Sequence, residues 1–71
     1  MSTLDSIILE IAYQSFGNDI VGSDLIPKDK LSYGIFCSLV GDKFDINIDG
    51  YSKPETLLEI TNRIRSLIKG Y

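Results

Sequence analysis

KDKLSYGIFCSLVGDKFDINID, running from Lys28 to Asp49, decides the fold of this 71-residue chain. Leu31, Ile35, Phe36, Leu39 and Val40 recur within it at three- and four-residue steps, the spacing of a helix with one buried stripe. Phe44, Ile46 and Ile48 then alternate, so the helix leads into an extended exit. Asp29, just after Pro27, is a suitable N-cap, and Gly41 marks the expected end of a helix over 29–41, with Gly34 tolerated inside it.

The flanking segments read in the same way. Leu4, Ile7, Ile8, Ile11, Ala12 and Phe16 lie on one face of a first helix over 3–16, capped by Ser2 or Thr3 and stopped by Gly17. Residues 17–28 hold turn formers, with Ile20, Val21, Leu25 and Ile26 as apolar pins for a long loop. A last helix over 54–69 follows Ser52-Lys53-Pro54-Glu55, a capping-box spacing with a first-turn proline. Its stripe is Leu57, Ile60, Ile64, Leu67 and Ile68, and Gly70 ends it. Only a turn or a very short extra helix fits between Asp49 and Glu55. The expectation is an all-α bundle of three main helices in one domain over 1–71, burying Ile8, Ile11, Leu31, Ile35, Leu39, Phe44, Ile48, Ile60, Ile64 and Leu67.

The Asp29-Lys30-Leu31 opening, the Phe44-Asp45-Ile46-Asn47-Ile48 exit and the Thr56–Ile64 segment together resemble acyl carrier proteins. In that family an Asp-Ser-Leu motif opens the second helix, and its serine carries a 4'-phosphopantetheine arm. Counting back fourteen residues from Phe44 without a gap places Lys30 at the serine's position. An amine cannot replace the hydroxyl in a phosphodiester, so the resemblance implies an acyl-carrier-like fold that carries no arm at Lys30. Ser32 is the alternative attachment point if the helix starts two residues later, because its free amides then favour a phosphate. The preferred reading of Ser32 is a polar first-turn residue that helps the cap. Ser38 falls near mid-helix and is discounted.

Composition narrows the function classes. Ten acids against seven bases, a net charge of −3, argue against nucleic acid as the main partner. Arg63, Arg65 and Lys69 read as the solvated last turns of a helix. The chain has no histidine, phosphate loop or nucleophile elbow, and Cys37 reads as a small buried hydrophobe, so an enzyme is not expected. One unpaired cysteine, no run of membrane length and no N-terminal leader point to a cytoplasmic protein, expected as a monomer. Asp45-Ile46-Asn47-Ile48-Asp49-Gly50 matches the first half of a calcium loop, but Thr56 stands where the bidentate glutamate belongs, so no metal site is expected.

Two further function readings stand beside the armless carrier. One is a working carrier with phosphopantetheine on Ser32; the other is a small helical ligand-binding or immunity-type protein. The family resemblance implies docking to enzymes of fatty acid, polyketide or peptide assembly. In carrier proteins the second helix shows partners an acidic face, whereas here Lys30 and Lys43 offset Asp29 and Asp42.

Overall fold

The computed structural model describes residues 3–50 and 53–68. Three helices form, α1 (Thr3–Phe16), α2 (Ser32–Phe44) and α3 (Leu57–Leu67). The described residues contain no strand, only an isolated antiparallel bridge between Leu25 and Thr56. The first helix ends at Phe16, as expected, while Ser2, offered with Thr3 as its cap, lies outside the described residues. It buries Leu4, Ile8, Ile11 and Ala12, with Ile7 and Phe16 packed at the edge of the core. Gly17 adopts φ +112°, and its N–H donates to Tyr13 O at 3.0 Å, closing the last turn in a backbone region that L side chains rarely adopt.

The second helix corrects the sequence reading on two counts. Leu31 and Ile35, expected in the core, are 74% and 43% exposed. Tyr33, Phe36 and Val40 are buried instead, while Leu39 and Phe44 are half-buried. At about 100° per residue, Leu31 and Val40 stand on opposite sides of the helix, whereas Tyr33, Phe36, Val40 and Phe44 share one side. Five apolar residues in ten positions cannot all face inward, and the row completed by an aromatic with a polar tip takes the core. The helix also runs past Gly41 to Phe44, and Asp45 forms the left-handed cap at φ 56°, ψ 47°, its N–H donating to Gly41 O at 2.8 Å. Gly41 serves a different need, because a Cβ there would lie 3.1 Å from Ile46 O.

The third helix starts at Leu57, three residues later than expected, and its N-cap is Thr56, four residues after Ser52. Its capping box is Thr56 with Glu59: Thr56 Oγ1 accepts from Glu59 N at 3.2 Å, and Glu59 Oε1 accepts from Thr56 N at 2.8 Å. Ser52, Lys69 and Gly70, to which the expected start and stop were assigned, lie outside the described residues. Leu57, Ile60, Thr61 and Ile64 are buried, but Leu67, another expected core residue, is exposed in the last turn. Between α2 and α3 the described residues form turns and no helix.

Helix α1 packs on both α2 and α3, while the Cα traces of α2 and α3 approach nowhere within 8 Å. Phe16 and Phe36 stack with ring centroids 5.2 Å apart at the α1–α2 contact. Of the expected extended exit FDINI, Phe44 belongs to the helix and Asp45 is its left-handed cap. Only Ile46 to Ile48 leave α2 as irregular chain, with Ile48 buried and Phe44 and Ile46 packed against the core.

Phe36, fully buried, is the aromatic anchor. Phe36→Ala should cost roughly 3–5 kcal/mol in denaturant unfolding, and Phe44→Ala, at a half-buried position, distinctly less. Gly34 faces open space, so Gly34→Ala should stabilise by about 0.5–1 kcal/mol. Gly41→Ala should destabilise, since its methyl presses on the Ile46 carbonyl.

Candidate functional site

The turn Asp29-Lys30-Leu31-Ser32 leads into α2, and its hydrogen bonds show where the helix is capped. Tyr33 N donates to Asp29 O at 3.2 Å, and Ser32 N donates to the Asp29 carboxylate at 2.8 Å. Asp29 therefore caps the turn before the helix, but regular helix begins at Ser32, three residues later than expected, which puts Ser32 at the helix N-terminus as its alternative attachment role requires. The Ser32 amide bond holds the Asp29 carboxyl below the usual aspartate range, against a weaker opposing effect of desolvation. Lys30 and Leu31 are exposed, as are Gly34 and Ile35 one turn on; Ser32 is half-buried. An attached phosphate on Ser32 would find the Ser32 amide already engaged by a carboxylate.

Both ends of this turn are fastened to a charged cluster that the sequence reading missed. Glu55, only 3% exposed, sits at its centre. Arg63 grips it with two bonds, Nε to Oε2 and Nη2 to Oε1, each 2.9 Å, and Lys28 Nζ donates to Oε1 at 3.0 Å. Tyr33 completes the cluster, its hydroxyl accepting from Lys28 and Arg63 at 3.3 Å each, with the Lys28 ammonium 4.4 Å from its ring centroid. Arg63 Nη1 reaches Ile48 O at 3.2 Å. Arg63, expected as a solvated last-turn base, thus fastens the α2 entrance, the exit after α2 and the approach to α3 to one another. Arg65 does lie on the surface, paired with Asp5 of α1.

Burial alone would raise the Glu55 pKa, but the Arg63 and Lys28 bonds outweigh it and hold the carboxyl below the ordinary glutamate range. The same Glu55 bonds raise Arg63, overcoming its desolvation. Burial pushes up the Tyr33 hydroxyl, and it pushes up the half-buried Cys37 thiol one turn further along α2. Cys37 stays a protonated thiol at neutral pH. It lies within the apolar packing, as its sequence context implies.

The calcium-like hexapeptide serves the chain path. Asp45 is the left-handed cap, Asn47 Oδ1 accepts from Asp49 N at 2.9 Å, and Gly50 takes φ 89°. Ile48 points into the core. Among the described residues no group of three or more His, Cys, Asp or Glu is placed to hold a metal ion. None of the described helices is long and apolar enough to cross a membrane.

Comparison with models of protein families, with curated proteins and with solved structures finds no match to this chain.

A group with a depressed folded pKa stabilises fully above its unfolded pKa, and that contribution is lost as pH falls through the folded value. Acid titration of the wild-type chain should therefore show stability falling below the ordinary glutamate pKa and flattening only below the depressed one. Glu55→Gln should remove part of that slope. Glu55→Ala, which takes the carboxylate from between two cations, should cost on the order of 3 kcal/mol at neutral pH, measured by urea unfolding. For the hexapeptide, calcium well below millimolar should leave the amide resonances of Asp45 to Gly50 unmoved.

Proposed function

We propose that this chain is a non-enzymatic, acyl-carrier-like module that docks on enzymes of fatty acid, polyketide or peptide assembly and bears no phosphopantetheine arm. The observation that carries the reading is the solvent-facing Lys30-Leu31 pair at the capped entrance to α2, where the family resemblance calls for the arm-bearing serine. Leu31 and Ile35 contribute little to the core, so their apolar surface is available to a partner. The face around them is close to neutral: Asp29 and Asp42 stand against Lys30 and Lys43. Such a face matches a partner contact built on apolar burial more than one steered by charge.

Attachment at Ser32 is the weaker reading. Its hydroxyl is half-buried and its amide is bonded by the Asp29 carboxylate, whose charge would also repel a phosphate. The single half-buried thiol accords with a reducing, cytoplasmic setting.

Intact mass after incubation with coenzyme A and a promiscuous phosphopantetheinyl transferase tests the proposal. The wild-type chain should gain no arm, and Lys30→Ser should gain one, since Asp29 and Leu31 already flank the position. Ser32→Ala should change neither result. An arm on the wild-type chain that disappears with Ser32→Ala would make the protein a working carrier. Leu31→Ala should alter folding stability by no more than about 0.5 kcal/mol, as expected for a surface residue held for binding.

A further inference from the structure

A second apolar surface lies away from the α2 entrance, where α1, the loop before α2 and α3 meet. A solvent-open cleft of about 240 Å³ is lined there by Asp5, Leu9, Gly22, Leu57, Leu58 and Thr61. Its polar backbone groups are satisfied within the fold: Leu58 N donates to Gly22 O at 2.9 Å, Leu57 N to Asp24 O at 3.0 Å, and the Thr61 hydroxyl to Leu57 O at 2.7 Å. What the cleft offers a visitor is therefore mainly hydrocarbon. The two strands of chain held together by these bonds also carry Val21, Leu25 and Leu58, which are 54%, 65% and 60% exposed.

The size of the cleft selects among occupants. Pockets for small molecules run from about 300 to 1,000 Å³ and enclose most of the ligand, whereas this cleft is smaller, open, and suited to one inserted side chain. Its charges select further. Asp5 lines it, paired with Arg65, and the exposed acids Asp24 and Glu59 adjoin Leu25 and Leu58 in the chain. Each keeps its charge while one carboxylate oxygen accepts from a backbone amide, that of Val21 for Asp24 and that of Thr56 for Glu59. The geometry points to a docking surface for a basic segment of a partner protein, which inserts one leucine-sized side chain between Leu9 and Leu58 and sets lysine or arginine against Asp24 and Glu59. This inference is independent of the carrier reading, because it uses neither Lys30 nor the outer face of α2.

The test uses the full chain and three synthetic helical peptides, each with one leucine flanked by lysines, by glutamines or by glutamates. Amide shifts of Gly22, Leu57, Leu58 and Thr61 should saturate with the lysine peptide and weaken with added salt. The glutamine peptide should bind less tightly and the glutamate peptide least. Leu58→Gln, at an exposed position that leaves folding intact, should weaken the lysine peptide about tenfold. Glu59→Gln, which keeps the Thr56 cap acceptor, should weaken the lysine peptide and leave the glutamine peptide unchanged. Equal binding of all three peptides, no saturable shift with the lysine peptide, or shifts centred on Leu31 and Ile35 would each overturn the inference. None of these outcomes alters the mass measurement that tests the missing arm.

Discussion

The buried carboxylate of Glu55 is the constraint on which the arrangement of this bundle depends. Helices α2 and α3 have no close backbone contact, each packing instead on α1, so any direct link between them must come from side chains and loops. Glu55 supplies the missing tie by binding Arg63 of α3 and Lys28 before α2, while Tyr33 of α2 accepts from both cations. A charge this buried would be costly if unpaired, so the segment carrying it is held wherever both cations can reach it. The Ile26 N–H bond to Glu55 O at 2.8 Å adds a backbone contact at the same point. A hydrophobic core sets how tightly small helices pack, and a directional network such as this one sets their register.

The elements themselves were legible because each rests on local chemistry. The end of the first helix was legible to the residue because its apolar period and its terminal glycine act within one turn of chain. The apolar anchors of FDINI were legible for the same reason, although Phe44 closes the helix and Asp45 turns left-handed. The inward face of α2 was not, because seven of the ten residues from Leu31 to Val40 are apolar or aromatic and several rotations fit the pattern. The choice fell to Tyr33, whose hydroxyl finds its partners on Lys28 and Arg63, residues distant in the chain or outside the helix. A periodicity argument has no access to such a contact.

The candidate site divides in the same way. Asp29 as cap was visible in the sequence, since a carboxylate three residues before an open amide has a local use. Glu55, by contrast, carries a misleading local signal, standing three residues after a serine and one after a proline, which reads as a capping box. The true box, Thr56 with Glu59, lies four residues further on. Arg63 near the end of a helix likewise invites a solvated, dipole-related role, and only its span to Glu55 reveals a structural one.

Because Leu31 and Ile35 stand opposite Phe36 and Val40, the outer face of α2 is uncoupled from the interior. Substitutions there can accumulate without eroding the fold, so this surface is free to evolve new specificities at a pace that core positions cannot match. Lys30, exposed at the helix entrance, lies on this surface, where a substitution can alter the chemistry while the bundle beneath keeps its shape.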